Sequence, residues 1–413
     1  MESPGNTSGH RAGNGAYRRA TLALFAAGMA NFMTLYYVQG LLPVFSKQFS
    51  VSPTLSAMTL SVTIALLALT IVPASALSER FGRVPVMVFS ALSSTGVGLL
   101  LPWSPNFETL LAGRALQGLL CAGVPAVAMA YLVEEIDGRD IGAAMGTYVA
   151  GTSFGGLTGR LIPTIGLDVM TWNWAFQLVA GLAALFAIVF TCKVPASENF
   201  TPRPIAMRHL ASAQIQHLRD GTLRCLFGLG FLLLGAFMAV YNFLAYRLLG
   251  PPFSLPVSLV GSVFLLYLAG TASSVIAGRY GDRFGRGRVL LAAICVMGVG
   301  IALTLPSSLA IVLIGVALTT AGFFAAHSIA SGWVPARATT NNRSGASSLY
   351  LLAYYLGGAL IGGLAGLAFA AHGWPGLVVS VAAILCVSTC LALIVLRAER
   401  DALPGRSLTT ATL

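Results

Sequence analysis

Two short stretches of this sequence place acid and base side chains together and repeat one another. Glu79-Arg80-Phe81-Gly82-Arg83 and Asp282-Arg283-Phe284-Gly285-Arg286 align at an offset of 203 residues. In each, a carboxylate precedes arginines at one and four positions on, with a glycine between. Such groups form charge-assisted contacts that can hold two segments together and let them go. Covalent chemistry has no comparable signature. The six cysteines, at 121, 192, 225, 295, 386 and 390, have no metal-ligand spacing. No nucleophile–base pair or phosphate-binding glycine loop occurs. The residues therefore predict neither an enzyme, a metal site, a cofactor nor ATP drive.

A second set of polar residues lies within long apolar runs. Arg114 and Gln117 are one turn apart, and Arg114 is the one basic residue read as well inside such a run. A charge at mid-membrane costs about 2.5–3.5 kcal/mol on insertion scales, so Arg114 is expected to face a wet cavity, with outward snorkelling as the alternative. His327 is the one histidine inside a run, either a proton carrier or a satisfied structural imidazole. Asn31, Thr34, Tyr36, Tyr37 and Gln39 follow one another closely, and Asn242, Tyr354 and Tyr355 lie further on. No Asp or Glu lies deep in an apolar run, and Glu134 and Glu135 stand at the end of one.

The elements that carry these groups follow from composition. Of 413 residues, 56% are hydrophobic and 9% charged, against roughly 25% charged in soluble domains. Lipid must cover most of such a surface, and the net charge of +11 reflects membrane topology rather than nucleic-acid binding. Twelve apolar runs reach the roughly 20 residues a helical span needs: 20–45, 54–77, 85–103, 107–133, 140–164, 174–193, 222–247, 256–279, 287–305, 308–334, 344–370 and 374–396. With both termini in the cytoplasm, 20 of the 24 Lys and Arg residues fall on the cytoplasmic side; Lys47, Arg114, Arg160 and Arg247 are the others. The predicted organisation is a mobile cytoplasmic tail 1–19, a six-helix bundle 20–193, a cytoplasmic loop 194–221, a second bundle 222–396 and a cytoplasmic tail 397–413. Within that loop, the stretch from Arg203 through Arg208 to Arg219 is basic, and Arg406 lies in the last tail.

The same offset of 203 relates Gly155 and Gly159 to Gly358 and Gly362. With Gly151 they form rows of small residues at four-residue spacing, which permit close helix approach. Sliding surfaces between the halves and static packing both fit. Two landmarks at one offset indicate an internal duplication, and parallel six-helix repeats are a transporter architecture.

The second charged loop, Gly278-Arg279-Tyr280-Gly281-Asp282-Arg283-Phe284-Gly285-Arg286, matches the GxxxDRxGR signature of the major facilitator superfamily. The first departs from it at Ser75 and Glu79. Arg114-Ala115-Leu116-Gln117-Gly118 resembles the RxxQG motif of the drug:proton antiporters, and Gly151-Thr152-Ser153-Phe154-Gly155-Gly156 stands where their GPxxGG motif stands, with Thr152 in place of proline. GTSFGGLTGRLIP, FFAAHSIASGWV and YLLAYYLGGALIGG are similar to the YnfM-like group of bacterial transporters. The resemblance implies an all-α fold of 12 transmembrane helices in two pseudo-symmetric six-helix bundles. It implies cavity residues on the first, fourth, seventh and tenth spans, hence Asn31, Arg114, Gln117, Asn242 and His327, to which Tyr354 is added. It also implies a cytoplasmic gate of Glu79, Arg80, Gly82, Arg83, Gly278, Asp282, Arg283, Gly285 and Arg286. The alternative for those arginines is a purely topological and anchoring role.

The expected function is alternating-access transport of a small uncharged-to-anionic or amphipathic molecule across a bacterial inner membrane. Proton-coupled efflux leads; uptake symport of a sugar or organic acid is the alternative, and an intramembrane enzyme or a channel is remote. The expected partners are the substrate, protons and membrane lipid, with no nucleic acid, and the chain is expected to act as a monomer.

Overall fold

The computed structural model describes residues 9–201, 217–338 and 343–401. Arg203, Arg208 and Arg406 lie outside the described residues, as do most of the central loop and the end of the last tail. The described chain is helical. The helices are α1 (Gly15–Tyr36), α2 (Leu42–Gln48), α3 (Pro53–Phe81), α4 (Arg83–Leu100), α5 (Phe107–Cys121), α6 (Gly123–Glu135), α7 (Ile141–Gly166) and α8 (Trp172–Lys193), followed by α9 (Gly221–Leu249), α10 (Val257–Ser262), α11 (Tyr267–Phe284), α12 (Arg286–Leu303), α13 (Leu309–Arg337) and α14 (Arg343–Asp401).

Local chemistry sets these bounds. The Asn14 side chain accepts from the Ala16 N–H and caps α1, while Ser52 and Asn106 cap α3 and α5 in the same way. The fourth expected span is divided between α5 and α6 at Ala122, because Pro125 has no N–H to return to the preceding turn. The last two expected spans form the 59 residues of α14, which leaves helical geometry at Gly373 with φ 61°. Among the described residues ten stretches are long and apolar enough to cross a membrane, and the last holds two spans; α7, at 26 residues, has the length of a further span.

The duplicated loop is the same turn in both places. Gly82 has φ 99° and ψ 155°, and Gly285 has φ 93° and ψ 140°. Each ends one helix and opens the next through a conformation that side-chain-bearing residues seldom adopt.

Contacts divide the chain into two compact units, Met1–Ala206 with Tyr241–Leu265, and Met207–Val240 with Leu266–Leu413. In the first unit α1 packs along α7 and α8, and α3 along α5. Alanines 20, 23, 26, 27 and 30 of α1 form a core with Met87, Val124, Val127, Tyr131 and Tyr148. The glycine row of α7 lies against α1: a Cβ on Gly151 would stand 2.4 Å from the Phe25 carbonyl oxygen, and one on Gly155 2.6 Å from that of Met29. In the second unit a Cβ on Gly357 would collide with the Phe231 carbonyl oxygen, whereas one on Gly358 would meet the Leu234 side chain. Gly151, Gly155 and Gly159 thus pack within the first repeat, first span on fifth, and Gly358 within the second, seventh on eleventh.

The amino-terminal tail departs from expectation. Residues 9–14 are tied to the loop after α6. The His10 N–H donates to the Glu135 carbonyl (2.8 Å), the Asp137 N–H to the His10 carbonyl (3.1 Å), and the Ala12 N–H to Asp140 (2.8 Å). The N–H of Arg139 and the Arg11 guanidinium hold the Asp137 carboxyl below its ordinary pKa. The first helix also begins at Gly15 rather than at residue 20.

Candidate functional site

Arg114 is fully buried, and this corrects the expectation of a wet cavity. Its Nε donates to the Thr59 carbonyl (2.9 Å), one terminal nitrogen to the Thr34 carbonyl (3.0 Å) and the other to the Leu35 carbonyl (2.9 Å). Thr34 and Leu35 belong to the last turn of α1, whose carbonyls have no partner further along the helix and carry the negative end of its dipole. The guanidinium is therefore a cap supplied from another helix. It also donates to Gln117 Oε1, which accepts from the Tyr37 hydroxyl (2.7 Å), while Gln117 Nε2 donates to the Ser94 carbonyl (2.8 Å). Arg114 and Gln117 do act together, as their spacing predicted, but they join α1, α3, α4 and α5 rather than face an opening.

Arg114 is not the only deep cation. Arg160 of α7 is also buried, and sequence reading counted it only as an arginine outside the cytoplasmic set. Its Nε donates to Gln39 Oε1 (2.6 Å) and a terminal nitrogen to the Gly156 carbonyl (2.7 Å). The Tyr36 ring lies 3.8 Å from its guanidinium carbon and the Phe264 ring 5.6 Å. Gln39 Nε2 in turn donates to Asn242 Oδ1 (2.7 Å). Asn242 is thus buried in a chain of amides and guanidinium. The available signal was its distance from Gln39, which equals the offset of the duplication.

Asn31 differs from both. Its amide is 1% exposed, and neither its oxygen nor its nitrogen has a hydrogen-bond partner among the described residues; the Thr34 hydroxyl, three residues on, is in the same position. Buried polar groups are nearly always paired, so this unmet capacity on α1 marks a place suited to a polar bound group.

In the second unit His327 stands half-buried among aromatic rings. Its Nδ1 lies 2.9 Å from the Tyr350 hydroxyl, and its ring stacks with that of Tyr354 at 4.4 Å between centroids. Phe323 lies next along α13 and stacks on Phe237 of α9 at 4.0 Å. Tyr267 and Phe324 complete the group edge-on. The structure brings His327 and Tyr354 together, and Tyr350, which sequence reading did not single out, is the partner of the imidazole.

The two charged loops differ in side-chain contacts despite their common turn. Arg83 is buried and donates to Glu134 (2.7 Å), Glu79 (2.8 Å) and the Ser78 hydroxyl (2.7 Å). Arg80 and Arg283 lie over their neighbouring rings, Phe81 and Phe284. Asp282 is exposed and forms no ion pair among the described residues. The acid that reads the second loop is Glu399, whose oxygens accept from the N–H groups of Arg286 (3.1 Å) and Gly287 (3.0 Å) at the start of α12. Glu134 and Glu399 are far from these loops in sequence, and only folding brings them there. Glu135, fully buried, accepts from the Asn199 N–H (3.1 Å).

An apolar chain of twelve membrane-crossing helices, built as two six-helix repeats with matched glycine turns and polar side chains drawn into its interior, is a multi-pass transporter of the two-repeat class. The chain belongs to the Major Facilitator Superfamily, whose sequence profile matches residues 24–264 and 226–411. It is 39% identical over 378 residues to the uncharacterized MFS-type transporter YybF of Bacillus subtilis, covering 92% of this chain and 93% of that one. It is 40% identical over 376 residues to the inner membrane transport protein YnfM of Escherichia coli, covering 91% and 90%. Among solved structures, an inward-facing bacterial homolog of the human lysosomal transporter Spinster superposes with a TM-score of 0.80 at 16% identity, covering 96% of this chain and all of that one.

Proposed function

We propose that this transporter exports a small uncharged-to-anionic or amphipathic molecule in exchange for protons. The observation that carries the reading is His327: an imidazole inside α13, bonded to a phenol on the next helix, in a chain whose acidic residues, among those described, lie at or beyond helix ends. Imidazole binds and releases a proton near neutral pH without the penalty of a buried carboxylate. The aromatic group around it suits a planar or amphipathic ligand, and the open amide of Asn31 suits a polar one. The RxxQG stretch at Arg114 favours antiport over symport by resemblance. The arginine distribution supports an inner-membrane location with both termini in the cytoplasm.

Uptake of fluorescent amphipathic dyes of neutral, anionic and cationic charge into inverted membrane vesicles tests this. Accumulation driven by an acidic lumen and abolished by nigericin is the expected result. Equilibration of the dyes without accumulation, at any gradient, would reject proton coupling. Orientation is tested separately. Cysteines introduced at Arg80 and Arg288, in a chain lacking the native six, are expected to resist an impermeant thiol reagent added outside intact cells and to react in inverted vesicles.

A further inference from the structure

We propose that Gln39, Asn242 and Arg160 form a latch that closes one mouth of the transport path. This rests on the alternating-access reading and adds to it the residues of the mouth opposite the charged loops. Gln39 and Asn242 are 203 residues apart and hydrogen-bonded at 2.7 Å. They are therefore the same position in the two repeats. Repeats related by rotation bring equivalent residues into contact only at the rotation axis, so this pair, both members of which lie in the first compact unit, marks that axis.

Further contacts beside the pair join one repeat to the other. The Tyr246 hydroxyl donates to the Leu42 carbonyl (2.8 Å) and is bonded to the Ser46 hydroxyl (2.7 Å). Gly261 lies against the Thr164 side chain, where a Cβ would come within 2.1 Å of its hydroxyl oxygen. Pro43 and Val44 of the first repeat and Ala245, Leu249 and Val257 of the second line a narrow apolar seam beside it. Gln39 serves as a relay, accepting from Arg160 through its oxygen and donating to Asn242 through its nitrogen.

Arg160 makes this closure reversible. A guanidinium loses its hydration when the mouth closes, which opposes closing. The Gln39 and Gly156 oxygens and the faces of Tyr36 and Phe264 replace that hydration. Of these, Phe264 comes from the second repeat, as does Asn242. Separation of the repeats removes both, and water reaches Arg160. The contacts that close the mouth and the solvation that opens it thus act on one cation.

Thiol accessibility tests the latch without knowledge of the substrate. Ala245→Cys, in a chain lacking the native cysteines, places the probe in the seam, and Val169→Cys, on an exposed turn, serves as the control for a folded and inserted protein. An impermeant methanethiosulfonate is added to right-side-out and to inverted vesicles. Gln39→Ala and Asn242→Ala are each expected to speed labelling at 245 about fivefold, equivalent to about 1 kcal/mol, with the rate at 169 unchanged. Gln39→Glu keeps an acceptor for Arg160 and, once the Asn242 amide turns, an acceptor for Asn242; it is expected to label as slowly as the parent. Unchanged rates in both alanine variants, or equal acceleration in Gln39→Glu and Gln39→Ala, overturn the latch. Acceleration confined to inverted vesicles supports the latch while reversing the proposed orientation.

Discussion

Arg114→Ala is expected to weaken the fold, and the structure sets the size of the effect. Four acceptors lose the guanidinium. Two of them keep another donor: the Thr59 carbonyl retains the Thr63 hydroxyl (3.0 Å), and Gln117 Oε1 retains the Tyr37 hydroxyl (2.7 Å). The Thr34 and Leu35 carbonyls are left at the end of α1 in a site closed to solvent. A buried acceptor without a partner costs about 1–3 kcal/mol, so the loss is about 2–6 kcal/mol. Lysine keeps the charge but replaces a planar fork by a single ammonium that cannot serve carbonyls on α1 and α3 together, so Arg114→Lys should recover part of the loss. Cys121, fully buried on the same helix, is a native reporter. In a chain retaining that cysteine alone, a thiol-reactive dye should report unfolding at a clearly lower temperature for Arg114→Ala, with Arg114→Lys between it and the parent. An unchanged melting temperature, with Cys121 equally protected, would refute the view that the arginine is a helix cap and restore the wet cavity.

Gly357→Ala should lower stability more than Gly358→Ala, because the first meets the backbone of α9 and the second a leucine side chain that can turn aside; melting temperatures in detergent decide it. Glu134→Gln should loosen the first charged loop more than Glu79→Gln, since Arg83 gives Glu134 contacts from two of its nitrogens and Glu79 from one, and Glu134 is the less exposed at 27% against 36%; spin-label distances between residues 80 and 138 measure the change. Glu399→Gln should raise hydrogen exchange at the start of α12, and Asp282→Asn should leave it unaltered. His327→Gln should remove gradient-driven accumulation between about pH 5 and 8 while leaving exchange of substrate down its own gradient, measured in reconstituted vesicles; normal accumulation in that variant would move the proton to Glu134 or Glu135.

What the sequence settled by itself was set by solvent and by backbone. A chain with 9% charge has to lie in lipid, and apolar runs of about 20 residues have to cross it. The repeated charged loop was legible, and its turn falls on Gly82 and Gly285 because only glycine adopts that geometry without strain. The duplication was legible because both loops and both glycine rows keep one offset. The roles of individual polar side chains were not legible. Arg114 and Arg160 are the same residue type in similar surroundings, yet one caps α1 and the other, through Gln39, reaches the second repeat. Asn31 and Asn242 are both buried amides, and one has unmet hydrogen-bonding capacity while the other has Gln39. Glu134 and Glu399 reach the charged loops from helices that the local motif does not contain. Helical periodicity tells which side chains share a face, but which helix that face meets, and which carbonyls lie opposite, depends on packing between segments up to 204 residues apart. Only the tertiary structure makes those pairings, and in a chain this apolar they decide where each polar group is satisfied.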